Sequence, residues 1–366
     1  MRKWLMLSLV ALVVMTGAAV AQDSAVYDAG NIVWTCPEGF EGQTLNVYNW
    51  ATYIGAETIA TFEDLCGVTV IYDVYDSNES LVARLRQGNP GYDVAFPSDY
   101  IVPVMMQEDM LVPLELDKVP NYANVGAIWQ ETLTEDVLEY VVPYMWGPTG
   151  IAYNTETITE PVTSWEQFFN HTGPVAWLAD PRAMLSISLT VLGHDPNSVN
   201  PDEISAARDY LVAHSSNVVA VAADDGQALL ERGEVDMVVE YAGDIYQLIQ
   251  DCECETYAFV LPQEGSSLFV DNMVLLTDAP NPELAYVFMD YILDPYVNAD
   301  IVNQIVFPTA NQAAIDSGFI REEIASDPAV FPAPESLENA WFLNFLGDSD
   351  LLYYDAWDEL LILIGL

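Results

Sequence analysis

From Thr44 onward the chain alternates short apolar runs with amphipathic stretches, and this alternation limits the fold more than any other feature. Residues 45–48 read as a strand, and residues 56–65 as a helix with Ile59, Phe62 and Leu65 at helical spacing. A strand at 68–72, a helix at 80–86 closed by Gln87-Gly88, and a strand at 92–96 follow. Strands separated by helices argue for an α/β lobe with a largely parallel sheet. The pattern then shifts. Apolar runs at 140–144 and 150–153 flank Met145-Trp146-Gly147-Pro148-Thr149, which reads as the crossing into a second lobe. That lobe has strands at 175–178, 218–222 and 235–241, and helices at 181–192, 203–212 and 227–232. Pro181 takes the tolerated first-turn position of its helix. Residues 258–261 lead back, 268–276 return to the first lobe, and 282–293 form an amphipathic helix. The expected division is 44–145 with 270–325 as lobe 1, 146–269 as lobe 2, and 326–366 as a C-terminal helical segment. Two α/β lobes joined by two crossings leave a cleft at the strand ends, where open sheets of this kind bind ligands.

The N-terminus sets the compartment. Met1-Arg2-Lys3 is basic, 5–14 is apolar apart from Ser8, and Ala19-Val20-Ala21 has the small-x-small pattern of a cleavage site. Residues 1–21 therefore read as a secretory signal peptide cut before Gln22. The apolar core is shorter than the roughly 20 residues of a membrane span. No cysteine follows the cleavage site, and Cys36 lies too far along to carry a lipid anchor. The expected product is an exported, periplasmic, soluble protein.

Charge excludes one class of partner. The chain has 9 Lys+Arg against 56 Asp+Glu, a formal net charge of −47. Nucleic-acid binding needs Lys and Arg against phosphate, so it is excluded. An acidic surface attracts cations at low salt, but salt screens that attraction. The overall charge reads first as adaptation to a saline habitat, with attraction of cations left open as the alternative, so the ligand must be argued from the site. Four cysteines in an exported chain suggest disulfides, with three connectivities open. Cys36 precedes the first strand and Cys66 ends the first helix, so Cys36–Cys66 is the preferred bridge. Cys252-Glu253-Cys254 has no further His or Cys nearby, so no metal site is expected.

The enzyme templates fail. There is no G-x-S-x-G, no H-E-x-x-H and no G-x-x-x-x-G-K-[ST]. His171, His194 and His214 sit outside any partner motif. No carboxylate pair stands out among 56 acids. Neither catalysis nor a cofactor is expected. What stands out is the set of residues at strand ends: Trp50 and Tyr53 after the first strand, Ser98 and Tyr100 after the third, then Asp180 and Tyr241. Phe269 and Asp271 flank Val270 at the return crossing, and Phe307 precedes Pro308-Thr309. Rings pack on methylenes and attract ammonium groups through their faces. Carboxylates accept charge-assisted hydrogen bonds from the same groups. The combination suits an alkyl chain bearing ammonium groups.

Tyr48-Asn49-Trp50-Ala51-Thr52-Tyr53 resembles the Y-N-W-x-x-Y opening of the bacterial spermidine/putrescine-binding proteins. Further pieces of the same pattern follow in order: residues 75–79 (YDSNE), 92–100 (YDVAFPSDY), 143–147 (PYMWG), 163–165 (TSW), 241–244 (YAGD), 262–265 (PQEG) and Pro308-Thr309. The similarity spans roughly residues 44–345. It implies a two-lobed type II periplasmic-binding-protein fold that closes on its ligand. It also implies a monomeric binding component of an ABC importer, which takes a linear polyamine and passes it to the inner-membrane permease. The resemblance puts Trp50, Tyr53, Ser98, Tyr100, Asp180, Tyr241, Phe269, Asp271 and Phe307 against the polyamine, with Asp271 and Asp180 holding ammonium groups. The chain departs from the pattern at Ala183, where spermidine binders carry a glutamate, at Ala51, and at Phe342 in place of a late glutamine. Glu240 and Asp99 are the candidate replacements, although strand alternation turns Glu240 away from the face of Tyr241. The alternatives left open are another organic cation, an amino-acid derivative or ferric iron on the same fold, an exported enzyme, and a periplasmic sensor subunit.

Overall fold

A computed structural model describes residues 28–365, so the signal-peptide reading of 1–21 lies outside the described residues. Ten strands carry the fold: β1 (Thr44–Trp50), β2 (Thr69–Tyr75), β3 (Val94–Ala95), β4 (Val141–Asn154), β5 (Val175–Leu178), β6 (Val218–Ala222), β7 (Met237–Tyr241), β8 (Tyr257–Val260), β9 (Ser267–Leu275) and β10 (Trp341–Phe342). Lobe 1 orders its sheet β2-β1-β3-β9-β4, with β10 beside β9. Lobe 2 orders its sheet β4-β7-β5-β6, with β8 beside β4. The expected α/β alternation is present, with β1 parallel to β2 and β3, and β5 parallel to β6 and β7. β9 runs antiparallel to β3 and β4 because it re-enters lobe 1 from the other lobe.

The two apolar runs at 140–144 and 150–153, with the residues between them, belong to the single strand β4. Val141 to Pro148 pair with β9, and Thr149 to Asn154 pair with β7 and β8. The register shifts between Pro143 and Trp146, and there the backbone finds partners elsewhere. The Trp146 N–H donates to the Pro308 carbonyl at 2.9 Å, and the Ala310 N–H to the Tyr144 carbonyl at 2.9 Å. These bonds satisfy groups that a broken ladder would leave bare, so the chain passes between lobes without leaving extended structure. β8 also lies very close to β4: a Cβ on Gly150 would sit 2.4 Å from the Phe259 ring.

Each lobe has its own core. In lobe 1, Phe62, Phe288 and Tyr291 form edge and tilted ring contacts beneath the sheet. In lobe 2, Trp165, Trp177 and Leu185 are fully buried. The C-terminal helix Asp350–Ile364 packs on the helices Pro181–Val191 and Pro201–Ala213, burying Tyr353, Trp357 and Leu360 in the lobe 2 core. Arg182, 0% exposed, anchors it. Its guanidinium bonds to the Asp350 carboxylate and the Asn344 carbonyl and lies 4.5 Å from the Tyr353 ring centroid. Such a pair is costly to break, because a buried charge would remain.

Cys36 and Cys66 are bonded, tying the N-terminal segment to the end of the helix Ala56–Cys66. A closed loop of this length restricts the unfolded chain by about 3–4 kcal/mol. Cys252 and Cys254 are bonded to each other at the end of the helix Ala242–Cys252. Among the described residues no helix is long and apolar enough to cross a membrane.

Candidate functional site

A cleft opens between the lobes, and all nine residues singled out in the sequence line it. They arrive by a common route. β1, β3 and β7 end at this edge, β9 starts from it, and the residues just past each end turn into the gap. The Trp50 indole N–H donates to the Phe96 carbonyl at 2.9 Å, which fixes the ring and leaves its face for the cleft. Tyr75 packs against it at a tilt of 55°, with ring centroids 4.7 Å apart.

Asp271, 3% exposed, sits at the centre of the lobe 1 wall. The Tyr53 hydroxyl donates to Oδ2 at 2.7 Å and the Ser98 hydroxyl to Oδ1 at 2.6 Å. These donors are themselves held. The Asn78 amide donates to Ser98 Oγ at 3.0 Å and to the Tyr100 hydroxyl at 3.1 Å. The Tyr144 hydroxyl donates to the Tyr53 carbonyl at 2.8 Å. Burial raises the Asp271 pKa to about 7, against the pull of the two hydroxyl bonds.

The rings form a wall around this carboxylate. Tyr53 meets Phe307 edge-on at 4.8 Å, and Phe269 meets Tyr241 at 5.1 Å. Phe307 follows Val306, which ends its helix at φ 55°, a costly conformation for a β-branched residue. Phe307 also presses on the start of the helix Ala242–Cys252. A Cβ on Gly243 would lie 2.2 Å from that ring, so only glycine fits.

Lobe 2 supplies the remaining acids. Asp180 caps the helix Pro181–Val191, accepting from the Ala183 N–H at 2.9 Å. Burial raises its pKa, while the cap bond and Arg182 oppose the rise. Sequence reasoning missed two others on the cleft wall, Asp224 and Asp244. Asp224 lies two residues beyond β6, so the strand-end rule applied to β6 would have found it. Asp244 is three residues after Tyr241, on the first turn of its helix, inside a motif already noted. Burial first, then the Asp244 charge, raises Asp224 to about 9. Asp224 Oδ2 is buried without a hydrogen-bond partner. Asp244 is pushed well up by burial and by the charges of Glu240 and Asp271.

Neither candidate replacement reaches the cleft wall. Glu240 points to the opposite face of β7, where its Oε2 would meet a Cβ on Gly226. Asp99 turns back to accept from the Val270 N–H at 3.3 Å. Four carboxylates thus line a cleft whose wall contains no Lys or Arg. Burial disfavours the ionised form of all four, repulsion from neighbouring acids adds to it at Asp224 and Asp244, and a cation entering the cleft would oppose both.

The sequence pattern of bacterial extracellular solute-binding proteins matches residues 57–333. The chain belongs to that family. It is 31% identical to a putrescine-binding periplasmic protein of Pseudomonas aeruginosa, over 82% of this chain and 87% of the relative. It is 28% identical to the spermidine/putrescine-binding periplasmic protein of Escherichia coli, over 87% of this chain and 92% of the relative. Among solved structures, a Listeria monocytogenes protein assigned to a spermidine/putrescine ABC transporter superposes with a TM-score of 0.81 at 30% identity. That match covers 87% of this chain and 98% of the other. A spermidine/putrescine ABC transporter substrate-binding protein from Streptococcus pneumoniae superposes with a TM-score of 0.73 at 28% identity, over 88% of this chain and all of the other. This solute-binding protein therefore has the type II periplasmic-binding-protein fold, with its cleft between the lobes.

Proposed function

We propose that this protein is the periplasmic binding component of an ABC importer and that its solute is a linear polyamine of the putrescine/spermidine type. One observation carries the reading. Asp271 is held by two hydroxyl donors at the base of an aromatic cleft, and no Lys or Arg lines that cleft beside its other acids, Asp180, Asp224 and Asp244. Ammonium groups would take the carboxylates, and Trp50, Tyr53, Tyr241, Phe269 and Phe307 would enclose the methylenes. Ser98 and Tyr100 would orient the acid and the ring wall. The names of the relatives point to the same solute class.

The rival solutes fit less well. An amino-acid derivative carries its own carboxylate, and no Lys or Arg lines the cleft to receive it. Ferric iron calls for free phenolates, but the Tyr53 hydroxyl is committed to Asp271 and Tyr100 accepts from Asn78. The protein would act as a monomer without catalysis, delivering solute to the inner-membrane permease. Lobe 1 (44–145 and 270–325) and lobe 2 (146–269) would close about β4 and the segment leading into β9. A thermal-shift screen tests the solute class. Putrescine or spermidine at millimolar concentration should raise the melting temperature, as any ligand of the native state does. A shift given by a different solute class and by no polyamine would overturn the proposal.

A further inference from the structure

A second gap separates the lobes outside the cleft. It is a groove of about 510 Å³, lined by Ile249, Gln250 and Cys254 from lobe 2 and by Val306, Arg321 and Ile324 from lobe 1. Two helices connect it to the cleft. Val306, at the end of the helix Pro295–Ile305, lines the groove, and the next residue, Phe307, lines the cleft. Asp244, on the first turn of the helix Ala242–Cys252, lines the cleft, and Gln250 of the same helix lines the groove.

Arg321 spans this groove. Asn303 fixes it to lobe 1, accepting the Arg321 backbone N–H on its side chain at 2.8 Å and the guanidinium on its carbonyl at 2.8 Å. Ile320 and Ile324, in the same segment, are buried in the lobe 1 core. The guanidinium also donates to the Gln250 side-chain oxygen on lobe 2. That end is held as well. Ile245 and Leu248 of the Gln250 helix are buried in lobe 2. The Glu253 N–H donates to the Gln250 carbonyl at 3.2 Å, and the Cys252–Cys254 bond closes the last turn.

We infer that Arg321 and Gln250 form an interlobe tie that positions lobe 2 over the cleft, so that two residues outside the cleft set how tightly the solute is held. The inference rests on capture of a solute between the lobes and goes beyond the choice of solute. Phe307 presses on Gly243 at the start of the Gln250 helix. Gln250 lies about 10 Å further along that helix. A rotation of lobe 2 about the Phe307 contact displaces Gln250 in proportion to this arm, and a hydrogen bond tolerates only a few tenths of an ångström. The same conformation brings Asp224 of lobe 2 within reach of the Ala51 backbone of lobe 1. The tie is therefore made where the two walls of the cleft meet. Parting the lobes would strip the guanidinium of its lobe 2 acceptor, and its buried Nε already lacks a hydrogen bond.

Stopped-flow kinetics, calorimetry and small-angle scattering on the mature protein test the tie, with putrescine as the solute probe. Gln250→Ala removes the tie and leaves the Asn303 bonds of Arg321 in place. It should weaken putrescine binding about fivefold or more, through faster release, with the association rate within about twofold of wild type. Arg321→Ala should lose as much, and the double variant no more than the larger single loss, as for two partners of one bond. Ligand-free Gln250→Ala should also have a larger radius of gyration than ligand-free wild type. Glu323→Gln removes an exposed lobe 1 charge 3.6 Å from Arg321 Nε and should change neither quantity. An unchanged affinity in Gln250→Ala, or losses that add in the double variant, overturns the tie. If putrescine does not bind the wild type, the radius decides. An expanded Gln250→Ala variant then leaves the tie standing and removes the polyamine reading, and an unchanged radius removes both.

Discussion

Lobe 1 and lobe 2 bring their acids to the cleft in different states. Asp271 of lobe 1 has a hydroxyl donor on each oxygen, and those donors are braced in turn by Asn78 and Tyr144. Asp224 of lobe 2 has one oxygen buried with no partner, and Asp244 lies within reach of the charges of Glu240 and Asp271. The first arrangement is finished before any solute arrives. The second stores unmet electrostatic demand that a cation would relieve. On the proposed reading, lobe 1 would offer a fixed floor that orients the ligand, and lobe 2 an acidic roof whose repulsion a bound cation would release on closure.

The largest test of this contrast is Asp271→Asn. Removing its charge inside a closed cleft should cost about 2–5 kcal/mol of polyamine binding, roughly thirtyfold or more in affinity. Asp73→Asn is the control, because Asp73 is exposed and lies outside the cleft wall. Calorimetry at two salt concentrations separates the causes. Equal losses in both variants, erased by salt, would mean that the acidic surface rather than the local contact does the binding.

The opposite lobe should respond differently. Asp224→Asn should weaken binding by only a few-fold, and it should raise the melting temperature of the ligand-free protein by removing a repelled carboxylate. Asp271→Asn should lower that temperature, since one of its two hydroxyl donors loses its acceptor geometry. The same logic sets the pH dependence. Asp271 and Asp224 have folded pKa values raised to about 7 and about 9, above the ordinary carboxylate value they regain on unfolding. At these two sites the native state binds more protons than the unfolded state, so their contribution to stability is greatest at acid pH and falls as pH rises from about 4 to about 9. Asp224→Asn should flatten the upper part of that fall in thermal melts at stepped pH. A melt curve unchanged by the substitution would break the contrast between floor and roof.

The smallest expected effect is in shape. Saturating polyamine should reduce the radius of gyration in small-angle scattering by a modest amount, as the lobes turn about β4 and the segment before β9. Confirmed binding with an unchanged profile would mean that the roof is already closed and its repulsion is met in some other way.

Much of the site could be read from the chain because of one geometric habit of α/β sheets. Strands of one lobe end on the same edge, so residues just past Trp50, Ala95 and Tyr241 had to meet. Asp224 obeys the same rule at β6 and was legible but passed over. Asp244 was less legible, because it sits on the first turn of a helix rather than at the end of a strand.

Composition and periodicity determined that this chain forms α/β layers with more than one core, because local propensity is a property of the chain itself. The tertiary structure decided the rest. It made β4 continuous through Pro143 to Trp146, because Pro308 and Ala310 supply bonds from far along the chain. It placed the last helix on lobe 2 through Arg182 and Asp350, 168 residues apart. It also set which acids share a dry space, and so which of 56 carboxylates are costly to ionise. Burial and charge–charge distance depend on where distant segments come to rest, and no local pattern of residues encodes them.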